Sequence, residues 1–274
     1  MFVNSGTPRS GGHRGAEGAG GYRGEGRQPE PGGYRGEGGQ SEPGGRRGTE
    51  GAGRYLGEGR QPGLGARRRL LVATRSAHKL RELRELLGPL HSELVDLDDL
   101  GIADEAVEDG ETFEANASKK ARFFADLSGL PTLADDSGLE VDALDGGPGV
   151  RTRRYAGETA TDEQNNAKLL RAMAGLKPAS RGARYRCVLA LALPETRGPR
   201  GGMRVRLARG TCAGRIATAP RGDGGFGYDP IFEPAVEPPG GRTLGEWTAE
   251  AKNRISHRGR AARRMHAILA EFEL

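Results

Sequence analysis

Residues 69–88 read R-L-L-V-A-T-R-S-A-H-K-L-R-E-L-R-E-L-L-G. The run Arg69–Thr74 is short, apolar and suited to a buried strand. Ser76 can cap a following helix by accepting from its free backbone N–H groups. Leu80, Leu83, Leu86 and Leu87 then fall on one face of that helix, and Gly88-Pro89 stops it. A strand, a short loop and an amphipathic helix in this order place the chain in the α/β or α+β class.

The pattern continues outward. Glu93–Leu97 reads as a second short strand. Thr112 or a neighbour opens a helix to about Ser128, ended by Gly129-Leu130-Pro131. Leu133-Ala134 leads into Asp135-Asp136-Ser137-Gly138, and Leu139–Leu144 alternates like a strand. Thr161 and Gln164 form a capping box for a helix to about Ala174. Tyr185–Leu193 is a strongly apolar strand, with Met203–Ala208 expected to pair near it. Arg221–Asp229 is a glycine-rich loop. A last helix is expected from about Ser256 to Phe272, with Met265, Ile268, Leu269 and Phe272 inward.

Upstream the composition changes. Residues 1–66 hold 23 of the 47 glycines in a chain of 274 residues and almost no aliphatic side chains. Such a segment cannot bury a core that offsets its ordering entropy, so it is expected to be a disordered tail. It carries a period of 12: G-Y-R-G-E-G-R-Q-P-E-P-G at 21–32 and G-Y-R-G-E-G-G-Q-S-E-P-G at 33–44. Each unit has one tyrosine and no aliphatic residue, so stacked copies would bury little and a solenoid is not expected. An Arg/Gly/Tyr segment that touches RNA loosely is the sharper alternative, weakened by the interleaved glutamates. Residues 67–274 are left as the globular unit. The net charge of +5 is mild and does not suggest a dedicated DNA binder. Two cysteines exclude a disulfide scaffold or a Cys-rich zinc site. No apolar run is long enough for a membrane span, and Met1–Ser10 lacks the apolar stretch of a secretory signal. A reducing cytoplasm is the expected compartment.

Four places break local rules, which is where function tends to show. Thr74-Arg75-Ser76-Ala77-His78-Lys79 puts two basic side chains in a helix's first turn, where the dipole disfavours cations by a few tenths to ~1 kcal/mol. An anion there reverses the sign, and a strand-loop-helix start with a lysine makes a phosphate cradle. Ser256-His257-Arg258-Gly259 repeats the pattern, with Lys252 one turn upstream. Asp135-Asp136 sits between apolar stretches; burial and mutual repulsion would raise at least one pKa unless a cation intervenes. Mg2+ suits one or two carboxylates with substrate phosphates, and Glu108 or Asp109 could add a ligand. Finally, Gly222–Pro230 sets Phe226 and Tyr228 among four glycines, where an aromatic ring can stack on a base. Each has a bland reading alone: a solvated lysine, a basic surface run, a turn-capping aspartate, a flexible loop. Together they ask for several phosphates, a planar ring and a divalent ion, which a nucleoside triphosphate supplies.

The blocks A-T-R-S-A-H-K (73–79), E-D-G-E-T-F-E-A-N-A-S-K-K-A (108–121), L-A-D-D-S-G-L-E-V-D-A-L (133–144), G-G-P-G-V (146–150), R-Y-A-G-E (154–158), G-G-F-G-Y-D-P-I-F (224–232) and S-H-R-G-R-A (256–261) stand in one order. In them the chain resembles the inosine triphosphate pyrophosphatase family, the RdgB-type dITP/XTP pyrophosphatases, over about Leu70 to Ala270. The resemblance implies a two-lobed α/β fold with a long mixed β-sheet and a central cleft, a homodimer, and Mg2+-dependent hydrolysis of ITP, dITP and XTP to monophosphate and diphosphate. By position it implies that Thr74, Arg75, Ser76, Ala77, His78 and Lys79 cradle the triphosphate. Glu108 and Asp136 would hold the metal, Asp136 doubling as general base, and Lys79 and Lys120 would act on the phosphates. Ser137, Phe226, Gly227, Tyr228, Asp229, Lys252, His257 and Arg258 would bind the nucleotide.

The family's usual T-G-N-x-G-K loop is altered, since Arg75-Ser76 and His78 replace Gly-Asn and Gly. Its usual E-N-A is Ala115-Asn116-Ala117, and its usual S-A-R-Y is Thr152-Arg153-Arg154-Tyr155. None of these removes the acidic and cationic set. Two rivals stay open: a Maf-like pyrophosphatase for pyrimidine triphosphates, and a nucleotide- or RNA-binding module that works through the tail. No stable nucleic-acid partner is expected. Deleting residues 1–66 should leave melting temperature and turnover nearly unchanged; a loss of several degrees in a thermal melt would show that the tail packs on the domain.

Overall fold

The computed structural model describes residues 67–195 and 202–274. The Gly/Arg-rich segment 1–66 lies outside the described residues. Strand β1 (Arg69–Ala73) is buried along its apolar run. Helix α1 (Ala77–Leu87) begins where the Ser76 hydroxyl accepts from the Lys79 amide and ends at Gly88. Strand β2 (Glu93–Asp96) follows. Helix α2 (Phe113–Ser128) is capped by Thr112 and closed by a left-handed Gly129. Helix α3 (Asp162–Ala172) opens on the Thr161–Gln164 capping box. These elements lie within a residue or two of their sequence expectations.

Strand β3 (Thr132–Val141) departs from expectation. The Asp-Asp-Ser-Gly block was expected to separate two apolar stretches; instead one strand runs through it without a break. Its neighbour dictates this. Strand β4 (Gly182–Glu195) pairs antiparallel along the whole length, matching Asp135 with Leu189, Asp136 with Val188 and Ser137 with Cys187. A full ladder outweighs the low strand propensity of Asp, Ser and Gly. Strand β5 (Gly202–Ile216) likewise extends well past the apolar core of Met203–Ala208, along β4. Strand β6 (Phe232–Pro234) and helix α4 (Ala249–Ile255) are too short for periodicity to reveal. Helix α5 (His257–Glu271) closes the chain.

The strands form one mixed sheet, ordered β2-β1-β3-β4-β5-β6, parallel for the β1 pairs and antiparallel beyond β3. Alternation along the strands builds two cores at one end. Leu70, Val72, Leu133, Leu189 and Leu191 pack under α1 and α5. Leu71, Ala73, Ala134, Val188 and Ala190 pack under α2. The other end carries a third core: Leu139, Val141, Ala183, Tyr185, Cys212 and Ile216 with α3 and β6. These are the two lobes. Asp135–Gly138 falls between them, after Leu133-Ala134 and before Leu139.

Two features make that junction a site. Strand β1 stops at Ala73, opposite Ala134, so β3 loses its parallel neighbour just before Asp135. The β1–α1 loop and the start of α1 therefore open beside the acidic pair, at the carboxyl end of a strand where a crevice forms. At the same place α5 starts hard against β5. A Cβ added at Gly210 would fall on the His257 carbonyl oxygen and 2.6 Å from the Ala261 amide. Gly210→Ala should therefore lower Tm by about 3–10 °C, since α5 must retreat from the sheet. It should lower turnover as well, because Arg258 rides on that helix; an unchanged melt would mean that α5 has slack.

Candidate active site

Asp135 has no exposed side-chain surface, yet it is ionised. Lys79 Nζ, from the first turn of α1, lies 2.6 Å from Oδ1. Arg258 Nε, from the first turn of α5, lies 3.0 Å from Oδ2. The Ser137 hydroxyl donates to Oδ1 at 2.8 Å and the Cys187 thiol to Oδ2 at 3.2 Å. Burial alone would raise this carboxyl; Arg258 and Lys79 outweigh burial and hold it well below the usual carboxylate range. Two helix starts are thus clamped to the centre of β3 by one side chain.

Asp136 points the other way, as adjacent strand residues must. Its Oδ1 accepts from the Ser137 amide at 3.0 Å, and its Oδ2 is buried with no partner. Burial pushes its pKa up to about 6; Lys79 and Lys120 pull down, while Glu108 and Asp135 push up. Lys120, on α2, is 2.6 Å from Glu108 Oε1 and also reaches the Asp135 carbonyl at 3.4 Å. The loop bearing Glu108 is held by Asn116, whose side-chain oxygen accepts from the Gly110 amide at 2.7 Å and whose amide donates to the Gly110 carbonyl at 3.2 Å.

A second set of ion pairs adjoins the first. Lys252, buried on α4, lies 2.7 Å from Asp229 Oδ2 and 2.9 Å from Glu82 Oε1. Glu82 also pairs with Arg258. Burial pushes the Lys252 pKa down, but Asp229 and Glu82 more than restore it. Burial also lifts the Asp229 carboxyl, which by itself would favour a proton there. Oδ2 accepts from both Lys252 Nζ and the Phe226 amide, and both contacts favour the charged carboxylate against the burial. Phe226 lies against these cations, its ring centre 4.8 Å from Lys252 Nζ and 5.6 Å from the Arg258 guanidinium carbon. Its backbone is set by Gly225 at φ 74°, where a side chain would strike Asp229.

The structure thus brings Lys79, Lys120, Asp136, Ser137, Glu108, Phe226, Asp229, Lys252 and Arg258 into one connected cluster. Sequence reasoning singled out Asp135 with Asp136 but gave it no role, and it missed Glu82. Glu82 lies one turn past Lys79 on α1, where it reads as an ordinary member of the L-R-E-L-R-E repeat.

Other expected residues serve differently. Arg75 turns away from the cluster, bonding to Asp98 Oδ1 and to the carbonyls of Ile102 and Asp104. The hydroxyl of Thr74 accepts from the Ser76 amide, and Ser76 caps α1. Ala77 is exposed as the first helical residue. Gly227 is tied to Asp162 through its amide and to Asn166 through its carbonyl. The Tyr228 hydroxyl donates to the Thr152 carbonyl at 2.8 Å. His78 does not greet an anion: its ring stacks on Phe226, centres 5.1 Å apart and planes 17° off parallel. His257 is uncharged. Burial, then Arg258 and Lys252, hold it well below the usual histidine range. The neutral ring stacks on Tyr185 at 4.6 Å, with Nδ1 unpartnered.

The sequence led us to expect free cations waiting for phosphate. Instead Lys79, Lys120, Lys252 and Arg258 are each paired with a carboxylate, and Asp136 is left over. The cluster carries no surplus positive charge. A polyphosphate could settle here only with a cation of its own or by displacing these internal partners. A cavity of about 480 Å3 between Arg68, Pro131, Glu195 and Phe272 lies elsewhere and is lined by none of these residues.

The Ham1 family profile matches residues 70–268. A dITP/XTP pyrophosphatase from Syntrophobacter fumaroxidans is 50% identical over 192 residues, covering 70% of this chain and 78% of that protein. One from Geobacter sulfurreducens is 50% identical over 193 residues, covering 70% and 92%. Among solved structures, a HAM1 protein from Coxiella burnetii matches with a TM-score of 0.64 at 39% identity, covering 74% of this chain and 99% of that one. A nucleoside-triphosphatase, dITP/XTP pyrophosphatase, from Mycobacterium abscessus matches with a TM-score of 0.56 at 42% identity, covering 72% and 98%.

Asp136 has a thermodynamic signature. Its carboxyl binds a proton more tightly in the fold, at about 6, than at its ordinary value of 3.8. Stability is therefore lost as pH rises through that window, by about 2–3 kcal/mol in all. In EDTA at about pH 7.5, Asp136→Asn should melt several degrees above the parent, and the gap should shrink towards pH 4. Equal melting temperatures at both pH values would show that Asp136 is not strained.

Proposed function

The chain belongs to the Ham1 family, and we propose that it hydrolyses non-canonical purine nucleoside triphosphates (ITP, dITP and XTP) to the monophosphate and diphosphate. The observation that carries this reading is the convergence of α1, α2 and α5 on the Asp135-Asp136 pair of β3, in which Asp136 keeps one buried, unpartnered oxygen and has Lys79 and Lys120 beside it.

The residues fit a divalent cation. Asp136 Oδ2 lacks a partner, and Glu108 is half-exposed with one oxygen on Lys120. Among the described residues no three His, Cys, Asp or Glu side chains cluster for a metal. That suits Mg2+, which takes one or two carboxylates and completes its shell with phosphate oxygens and water. Glu108 and Asp136 would hold it. When bound it neutralises triphosphate charge and polarises the scissile phosphoanhydride.

The side chains do the rest. Lys79 and Lys120 exchange their carboxylate partners in part for phosphate oxygens and stabilise charge as it moves onto the departing diphosphate. Arg258 stays locked to Asp135, Glu82 and Ser137, contributing a fixed positive field. A water attacks the α-phosphorus, and Asp136 Oδ2 takes its proton. Phe226 offers a stacking face to the base. The neutral His257 ring has one donor and one acceptor, chemistry suited to a base edge rather than to phosphate. A donor aimed at a six-keto oxygen is left unpaired by adenine's amino group, costing about 1–3 kcal/mol, or roughly 5- to 150-fold.

The same reading includes a homodimer in a reducing cytoplasm; Cys187 and Cys212 are buried free thiols, and no helix among the described residues is long and apolar enough to cross a membrane. Diphosphate release should be faster from ITP, dITP and XTP than from ATP or UTP, by roughly 10- to 100-fold, and should require a divalent ion. Asp136→Asn should abolish it while the fold persists. Preference for UTP would favour the Maf-like rival, and full turnover by Asp136→Asn would remove the role given to that residue.

A further inference from the structure

Phe226 is contacted from two environments. Lys252 and Arg258, at its ring within 4.8 and 5.6 Å, are buried. His78, stacked on it at 5.1 Å, is exposed. The imidazole is therefore the solvent-exposed one of these three neighbours of the ring. A flat ring covering another flat ring next to a cluster of phosphate-type cations is itself arranged like a bound base.

We propose that His78 is a built-in competitor for the base site: its imidazole occupies the Phe226 face when no nucleotide is bound, and an incoming base must displace it. This rests on the reading of the cluster as a nucleotide site. Geometry favours displacement over a sandwich. A base held between two rings needs roughly 7 Å between their centres, two layers at van der Waals separation, and only 5.1 Å is present. Both backbones are tethered nearby. Phe226 is held by its amide on Asp229 at 3.0 Å. The backbone of His78 lies in the first turn of α1, where the amide of its neighbour Lys79 bonds to the Ser76 cap. The exposed imidazole has room to leave by rotating about its own side-chain bonds into solvent.

The consequence differs between ligands with and without a base. Every base-bearing ligand carries the same penalty, the loss of one aromatic stack. A substrate held by three phosphates overcomes it; a monophosphate product, held by one, is ejected sooner. Ligands without a base do not meet the competitor at all.

The test measures equilibrium binding of inosine 5′-monophosphate, ribose 5-phosphate and inorganic tripolyphosphate to the full chain by calorimetry with Mg2+. His78→Ala should tighten inosine monophosphate about 2- to 10-fold, the worth of one aromatic pair, and leave ribose 5-phosphate and tripolyphosphate within twofold. His78→Phe, which keeps a competing ring, should bind inosine monophosphate no better than the parent. In a Phe226→Leu background, His78→Ala should have no effect. Weaker or unchanged binding of inosine monophosphate by His78→Ala, or equal tightening in both backgrounds, overturns the proposal. Absence of diphosphate release from ITP by the unmodified chain, with this binding pattern intact, would remove the proposed function and leave the competitor standing.

Discussion

A single buried carboxylate holds the two halves of the site together. Asp135 is enclosed by protein, and its two oxygens are shared among Lys79, Arg258, Ser137 and Cys187. Burying one ion pair is no sure source of stability, but removing one partner of a satisfied set strands the others. Here the stranded groups would include Arg258, whose remaining carboxylate, Glu82, is already shared with Lys252. The interaction also sets geometry. Lys79 marks the start of α1 and Arg258 the start of α5, so one side chain on β3 fixes where both helices begin.

That grip explains why the next residue can be so different. With its neighbour absorbing the local positive charge, Asp136 keeps an oxygen that nothing satisfies and a pKa near 6. Its two lysines are compromised as well: Lys120 is drawn to Glu108 and Lys79 to Asp135. A cluster short of one cation leaves Asp136 strained, and the divalent ion proposed for it would supply the missing positive charge. Functional sites hold such local violations because the surrounding fold over-determines them. The ladder with β4 supplies that constraint here, pairing every residue of β3.

Much of this was legible in the sequence, for identifiable reasons. The caps Ser76, Thr112 and Thr161 and the stops Gly88 and Gly129 sit where the backbone needs them, so α1, α2 and α3 could be read directly. Strand β3 could not, because Asp-Asp-Ser-Gly has poor strand propensity and only its pairing partner reveals it. Nor could the division of labour between Asp135 and Asp136. Adjacent strand residues face opposite sides, and the sequence does not say which side holds Lys79. His257 illustrates a related limit. Its charge depends on burial against Tyr185 and on the nearby Arg258, contacts made across the fold.

The altered β1–α1 loop is where sequence and structure inform each other most. Three departures from the usual T-G-N-x-G-K pattern fall within four residues, and each has acquired a separate partner. Arg75 fastens the 98–104 loop, Ser76 caps the helix, and His78 covers Phe226. Arg75 points away from the phosphate-type cluster, Ser76 completes a helix that any cap could complete, and His78 meets the cluster only through the Phe226 ring. Lys79 alone keeps the orientation that a phosphate cradle demands, and it does so because Asp135 holds it there. The loop is thus arranged around one fixed ammonium group. Its backbone path is set from outside the loop, by the end of β1 at Ala73 and by a carboxylate on the neighbouring strand.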